Sequence, residues 1–174
     1  KTAYEIVSRD WSSDVCSSDL WRLAGQSHHS ALIEFRDHLM LIEAPLSEAR
    51  TLAVIAKAKS LVPGKPLTQL VTTHHHFDHT AGMRAAIADG MAVITQAGNQ
   101  AWVEAMAARP YSIEPDALAK RPARLQVETV EAEREFADQG QQVVLSHLDG
   151  NPHSDTLLVA YLPDRKSTRL NSSH

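Results

Sequence analysis

A chain of 174 residues with 43% hydrophobic and 22% charged positions has the composition of an ordinary globular domain and is long enough to bury a core. Its formal net charge of -4 gives no electrostatic reason to expect a polyanionic partner, so no nucleic-acid partner is expected. No apolar run approaches the roughly 20 residues that cross a bilayer and no apolar signal-peptide core opens the chain, so no membrane association and a cytoplasmic location are expected.

The first twenty residues hold the near-repeat WSSDV and CSSDL, which sustains neither helical nor strand periodicity and reads as unstructured. Cys16, the single cysteine, excludes an internal disulfide. It has no neighbouring His or second Cys to suggest metal binding or catalysis. At the other end, residues 165–174 are polar and basic. KTAYEIVSRDWSSDVCSSDL and RKSTRLNSSH both resemble translated sequencing-adapter read-through. The expected organisation is therefore a non-native or disordered flank over 1–20, one domain over 21–164 and a non-native or disordered tail over 165–174.

Within the middle, the apolar runs 31–35 and 39–42 flank Arg36-Asp37-His38 and predict a hairpin. Ser47 offers an N-cap for a helix through Leu61, with Leu52, Ile55, Ala56 and Lys59 at helical spacing and Val62-Pro63-Gly64 as its stop. A strand is expected over 67–73, then a helix over 82–89 closed by Gly90. A strand over 91–95 and a helix over 99–108, broken at Pro110, follow. After a Pro-containing connection at 111–122 come strands over 125–130, 142–148 and 156–162. Strands alternating with helices predict an α/β domain whose helices cover a sheet face.

The segment Thr73-His74-His75-His76-Phe77-Asp78-His79-Thr80 carries the chemistry. Side chains at i and i+2 of an extended chain point the same way, so His74 and His76 form a pincer for one metal ion while His75 turns away, toward the core or in support of the ligands. Where the chain turns into the next helix, Asp78 and His79 are thrown forward and can hold a second ion. Imidazole with carboxylate suits zinc, with iron or manganese open. The competing reading is a His-rich turn that binds metal adventitiously. Its place at the C-terminal end of a strand, where open α/β sheets put their sites, argues against that.

This H-x-H-x-D-H after an apolar strand and before a Gly-containing helix start resembles the metallo-β-lactamase superfamily, and the likeness covers most of 21–164. It implies an αβ/βα sandwich, here partial and incomplete in its C-terminal half. It also implies that His74 and His76 share the first metal with a later histidine, and that Asp78 and His79 help hold the second. His153 fits the later histidine, in a loop turned by Asp149-Gly150, stiffened by Pro152 and followed by a strand. His147, inside the preceding strand, reads as a packed or half-exposed strand residue. Glu43 stands where the family often has an Asp. It either orients a ligand histidine through its other ring nitrogen or is a surface carboxylate. His28 and His29 precede the first hairpin strand, on a loop that can overhang the family's cleft, or are an exposed pair.

The family's bridging Asp and final His are not found: Asp164 follows Pro163 too closely and His174 lies in the tail. The implied activity is metal-dependent hydrolysis, with two zinc ions, metal-activated water and Asp78 as the catalytic group that orients it. The substrate would be a small molecule carrying an ester, thioester, lactone, amide or phosphodiester bond, and this fragment is expected to be inactive. A mononuclear iron oxygenase of the same fold and a non-catalytic metal-binding or interaction module stay open. No Gly-rich phosphate loop or G-x-S-x-G elbow supports another chemistry.

Overall fold

The computed structural model describes residues 13–17, 19–25, 27–138, 140–163 and 167–169. A first sheet of seven strands runs in spatial order from β1 (Ser13–Ser17) through β2 (Leu20–Leu23), β3 (Ser30–Glu34), β4 (Leu39–Ile42), β5 (Leu67–Val71) and β6 (Ala92–Gln96) to β7 (Val127–Val130). The first four strands are antiparallel neighbours, and the expected hairpin is β3–β4, with Ala31 opposite Ile42 and Glu34 opposite Leu39. From β4 to β7 the pairing is parallel, which requires crossovers. Helix α1 (Glu48–Leu61) makes the first. Short α2 (Phe77–Thr80) and α3 (Met83–Ala88) make the second, and α4 (Gln100–Ala108) with α5 (Ala117–Lys120) the third.

Alternation along the strands separates two cores. Leu32, Leu41, Leu70 and Val93 face the helices, packed with Val54, Ile55, Ala58, Met83, Ile87 and Val103. Ile33, Met40, Ile42, Val71 and Ile94 face the other way, onto Val143, Leu145, Leu158, Ala160 and Leu162 of a second, antiparallel sheet. That sheet has the order β11 (Ser167–Arg169), β10 (Leu158–Leu162), β9 (Gln141–His147), β8 (Glu133–Asp138). Because the first sheet is covered on both faces, β4 is a continuous apolar run buried at all four positions. The result is helices on sheet on sheet. On the far face of the second sheet, Val144, Val159 and Tyr161 are half-buried and join neither core.

Ser47 caps α1 as its sequence predicts, its hydroxyl accepting from the Arg50 amide at 3.2 Å, with Glu48 in the first turn and Lys59 in the last. The buried face is set differently from the expected one. Thr51, Val54, Ile55 and Ala58 are buried while Leu52, Ala56 and Lys59 are exposed. Both stripes have helical period, and the tertiary contacts with Leu41 and Met83 select between them. Strand β8 was not foreseen. Its EREFAD sequence lacks an apolar run, yet every residue of it pairs with β9, from Gln141 to Ser146, with only alternate side chains half-covered.

No regular structure was expected at either end, whereas Ser13–Ser17 pairs with β2 and Ser167–Arg169 pairs with β10. Backbone hydrogen bonds to an open strand edge require no apolar pattern in the added strand, which is why periodicity missed both. The backbone of Cys16 lies in β1 and its side chain outside the described residues. Asp164 and His174 also lie outside them.

Candidate metal centre

The cluster sits at the C-terminal ends of the parallel strands, and three backbone connections build its floor. The segment after β4 is stitched to the histidine turn: Ala44 N donates to His79 O at 3.1 Å and Leu46 N to Asp78 O at 3.1 Å. Glu43 and Leu46 adopt positive φ, 75° and 66°, to make that path. At the opposite wall, Leu158 N donates to Thr73 O at 2.7 Å, which hangs the 148–157 loop over the turn.

Strand β5 ends at Val71, so the three histidines lie in a bend beyond it and not on a pleated strand. The pincer forms nonetheless, through the bend and not through i, i+2 alternation. His74 and His76 have ring centroids 4.7 Å apart, and each lies within 4.9 Å of the His153 ring. Nε2 of His74 and Nε2 of His153 are 3.1 Å apart. One ring nitrogen from each of the three lies within 4.8 Å of the others. His153 reaches in from an exposed loop, its amide donating to Asn151 Oδ1 at 2.9 Å. His75 is exposed and sits edge-on to Trp102 at 6.1 Å; the expected core-facing position is corrected, because the bend turns its ring outward. His147 stays out of the cluster, with its Nε2 2.7 Å from the carbonyl of Asp155.

A second group adjoins the first, the His79 ring lying 4.2 Å from that of His74. Asp78 Oδ2 is 3.6 Å from His79 Nε2 and 3.0 Å from His28 Nε2, and the three residues again bring one donor atom each within 4.8 Å of one another. His28 is the member that sequence reading underrated. Fifty residues separate it from Asp78, and only its place before β3 hinted at a role. Its neighbour His29 is held elsewhere, by Arg22 at 2.7 Å and the Gly25 amide at 3.2 Å.

Of the two readings of Glu43, the structure has the buried one. Nδ1 of His79 donates to Oε2 at 2.7 Å, and the Thr73 amide donates to Oε1 at 2.8 Å. The Nδ1 proton is thereby fixed, and Nε2 of His79 is left buried with no hydrogen-bond partner among the described residues. A buried nitrogen without a partner costs about 1–3 kcal/mol, which a metal ion would relieve. Tetrahedral zinc with Zn–N near 2.0–2.1 Å sets donors about 3.3 Å apart, and the 3.0, 3.1 and 3.6 Å separations bracket that spacing. The residues therefore fit metal ions.

The protonation states agree. Burial, then the neighbouring His79, His76 and His153 rings, push His74 down to about 3. Burial, followed by His153 and His75, likewise lowers His76. Both rings are thus neutral at pH 7, the form in which an imidazole can bind a metal ion. Burial raises the Asp78 carboxyl, but His79, backbone hydrogen bonding and His28 together outweigh it and hold the group below its ordinary value. Burial lowers His79, and Glu43 with Asp78 reverses that, leaving it raised.

Beside the cluster, a groove of about 330 Å³ is lined by Phe77, Thr80, Trp102, Met106, Arg109 and Tyr111. A larger cavity, about 830 Å³, lies around Arg84, Tyr111 and Asp116 and is lined by none of the clustered histidines. Among the described residues, no helix is long and apolar enough to cross a membrane.

A two-sheet α/β layer structure with two His-rich donor groups at its strand ends defines a metal-binding fold of a particular kind. The chain belongs to the Metallo-beta-lactamase superfamily, whose sequence profile matches residues 24–165. Among solved structures it is similar to a metallo-beta-lactamase from Pontibacter korlensis, at 21% identity and a TM-score of 0.66, covering 89% of this chain and 68% of that one. One from Hirschia baltica gives 19% and 0.62, covering 87% and 66%. The DIM-1 metallo-beta-lactamase gives 14% and 0.64, covering 89% and 66%. At these identities the likeness establishes the fold, of which this chain spans about two thirds. No curated protein sequence matches.

Proposed function

We propose that this chain carries the metal centre of a hydrolase that holds two ions, zinc by the chemistry of its donors, and acts on a small molecule. The observation that carries this reading is the pair of facing donor groups around the partnerless Nε2 of His79. His74, His76 and His153 would hold one ion, and Asp78 with His79 the other. Bound ions would supply hydroxide at neutral pH and polarise a carbonyl or phosphoryl oxygen.

The chain's own groups do the rest. Asp78, kept ionised by His79 and His28, accepts hydrogen bonds and so orients the attacking water. Glu43 keeps the proton of His79 on Nδ1 and its Nε2 turned to the cluster. The groove beside Phe77 and Trp102 offers apolar surface for the non-reacting part of a substrate, with Arg109 in its lining to meet an acidic one.

Metal analysis tests the reading. Two zinc ions per chain are expected after reconstitution, against one iron for an oxygenase. In the whole protein, His74→Ala should abolish turnover of a chromogenic ester, lactone, β-lactam and phosphodiester panel. Persistence of turnover in that variant would overturn the assignment.

A further inference from the structure

Asp78 and His79 each need an anchor to face one ion together. Glu43 anchors His79: with the ring proton held on Nδ1, Nε2 presents a lone pair. That lone pair stands 3.6 Å from Asp78 Oδ2, an atom that can only accept when the carboxyl is ionised. Two electron-rich atoms at this spacing repel each other, and the Asp78 side chain is 28% exposed, so its carboxylate can turn away to water. A donor from the protein is required to keep it in place before an ion arrives.

His28 supplies that donor. Its Nε2 is 3.0 Å from the same Oδ2, and because a carboxylate oxygen only accepts, the contact puts the His28 proton on Nε2 and leaves Nδ1 as an acceptor. Ser27 Oγ, 2.8 Å from Nδ1, completes the chain: its hydroxyl donates to Nδ1 while Nε2–H donates to Asp78. With both ring nitrogens partnered, the residue can stay buried at 9% exposure. An ionised carboxylate has about four lone-pair sites, so accepting this bond leaves room for an ion. The ring is also held from the side, meeting that of His79 at 85° with centroids 5.1 Å apart. The connection between β2 and β3 that carries His28 is tied to the floor by Ser30 Oγ, which donates to the Glu43 carbonyl at 3.0 Å. One frame therefore holds both anchors, Glu43 for His79 and His28 for Asp78.

We propose that His28 is a positioning residue: its Nε2–H, with the proton directed there by Ser27, fixes the Asp78 carboxylate in the ion-binding direction as Glu43 fixes His79. The proposal rests on the two-ion reading above. It requires no bond between His28 and an ion.

Cobalt titration of the 174-residue chain, together with imidazole nitrogen-15 spectra of the metal-free chain, tests it. Wild type should take up two equivalents. His28→Leu, which keeps the bulk and removes the donor, should keep the first equivalent and weaken the second by about 10–100-fold, the usual cost of losing a group that orients a ligand. His28→Gln, whose amide NH2 can still donate, should recover most of that loss, which a ring that merely filled space would not allow. In metal-free wild type above the ordinary imidazole range, the His28 signals, assigned by their absence from His28→Gln, should show a protonated Nε2 and a bare Nδ1. An undiminished second equivalent in His28→Leu, a His28→Gln no better than His28→Leu, or a proton on Nδ1 would each overturn the positioning role and leave the two-ion reading standing. If His28→Leu proves misfolded by circular dichroism, the proton's place in wild type decides. A wild-type chain that takes up fewer than two equivalents would instead overturn the two-ion reading, and the role of His28 within it.

Discussion

Glu43 and His79 form a hydrogen-bonded pair at 2.7 Å in which each side chain is only 1% exposed. Such a pair cannot be lost cheaply, because removing the carboxylate strands both His79 Nδ1 and the Thr73 amide in a dry environment. Glu43→Ala should lower metal affinity about 10–100-fold and cost about 2–4 kcal/mol of stability. Glu43→Gln should do less harm to His79, since its amide oxygen still accepts from Nδ1, but its NH2 would then face the Thr73 N–H. Chelator competition and urea melts on the two variants separate the effects. Equal affinity in wild type and Glu43→Ala would contradict the orienting role.

The metal-free chain should be acid-sensitive well above the carboxylate range. His74, held down to about 3, stays neutral in the fold while the unfolded chain takes up a proton near 6.5. Between those values acidification favours unfolding, with a slope approaching about 1.4 kcal/mol per pH unit from this group. His79 runs oppositely: its folded value is raised, so its contribution is complete below 6.5 and is lost as pH rises through that folded value. For these two groups stability is greatest near pH 6.5. Urea melts in chelator should show the acid limb, and His74→Asn should flatten it. An unchanged slope in that variant would count against the burial argument.

What the sequence disclosed follows from how local each feature is. His74, His76, Asp78 and His79 lie within six residues, so one motif named them, even though the strand ends three residues before His74 and the bend does the converging. The Ser47 cap and the β3–β4 hairpin were legible for the same reason. His28 was not, because its partner is 50 residues away and a pair of histidines before a strand has no periodic signature. Strand β8 was hidden by its charges, and the α1 face by a second stripe of equal period. Each was decided by tertiary contacts that no window of sequence contains.

Gly82 should tolerate no side chain. A Cβ there would collide with the side chain of Thr51 and come within 2.8 Å of the Ser47 carbonyl, and the latter is backbone that cannot swing away. The Gly82 amide also donates to Ala44 O at 3.0 Å, so displacing it disturbs the floor under His79. Gly82→Ala should cost about 1–3 kcal/mol by overpacking. For a chain of this size, that lowers Tm by about 2–4 °C per kcal/mol. Metal affinity should fall with it. A variant of wild-type Tm would show that α1 and the α2–α3 corner can separate freely.

Arg84 and Asp116 should matter to stability and not to the metal centre. The guanidinium meets the carboxylate through Nε at 2.5 Å and NH2 at 3.1 Å, and its NH1 donates to the carbonyls of Met106 and Ala107. It also lies 4.3 Å above the Tyr111 ring, so one side chain ties α3 to the end of α4 and to the connection that follows. Asp116 in turn caps α5, accepting from the Ala119 amide at 2.8 Å. Both side chains are at most 10% exposed, and breaking such a pair from one side leaves an uncompensated buried charge, costing about 3–5 kcal/mol. Asp116→Asn should therefore lower Tm by about 6–20 °C at pH 7, while metal stoichiometry stays at the wild-type value. The Arg84 hydrogen bond, against opposing burial, holds the Asp116 carboxyl below its ordinary 3.8. A depressed folded value means the contribution is present above 3.8 and is lost as pH falls through the folded value. The gap between wild type and Asp116→Asn in urea melts should accordingly be full at pH 7 and narrow below pH 3.8. A gap that persisted undiminished into that acid range would show that packing, and not charge pairing, holds the three helices together.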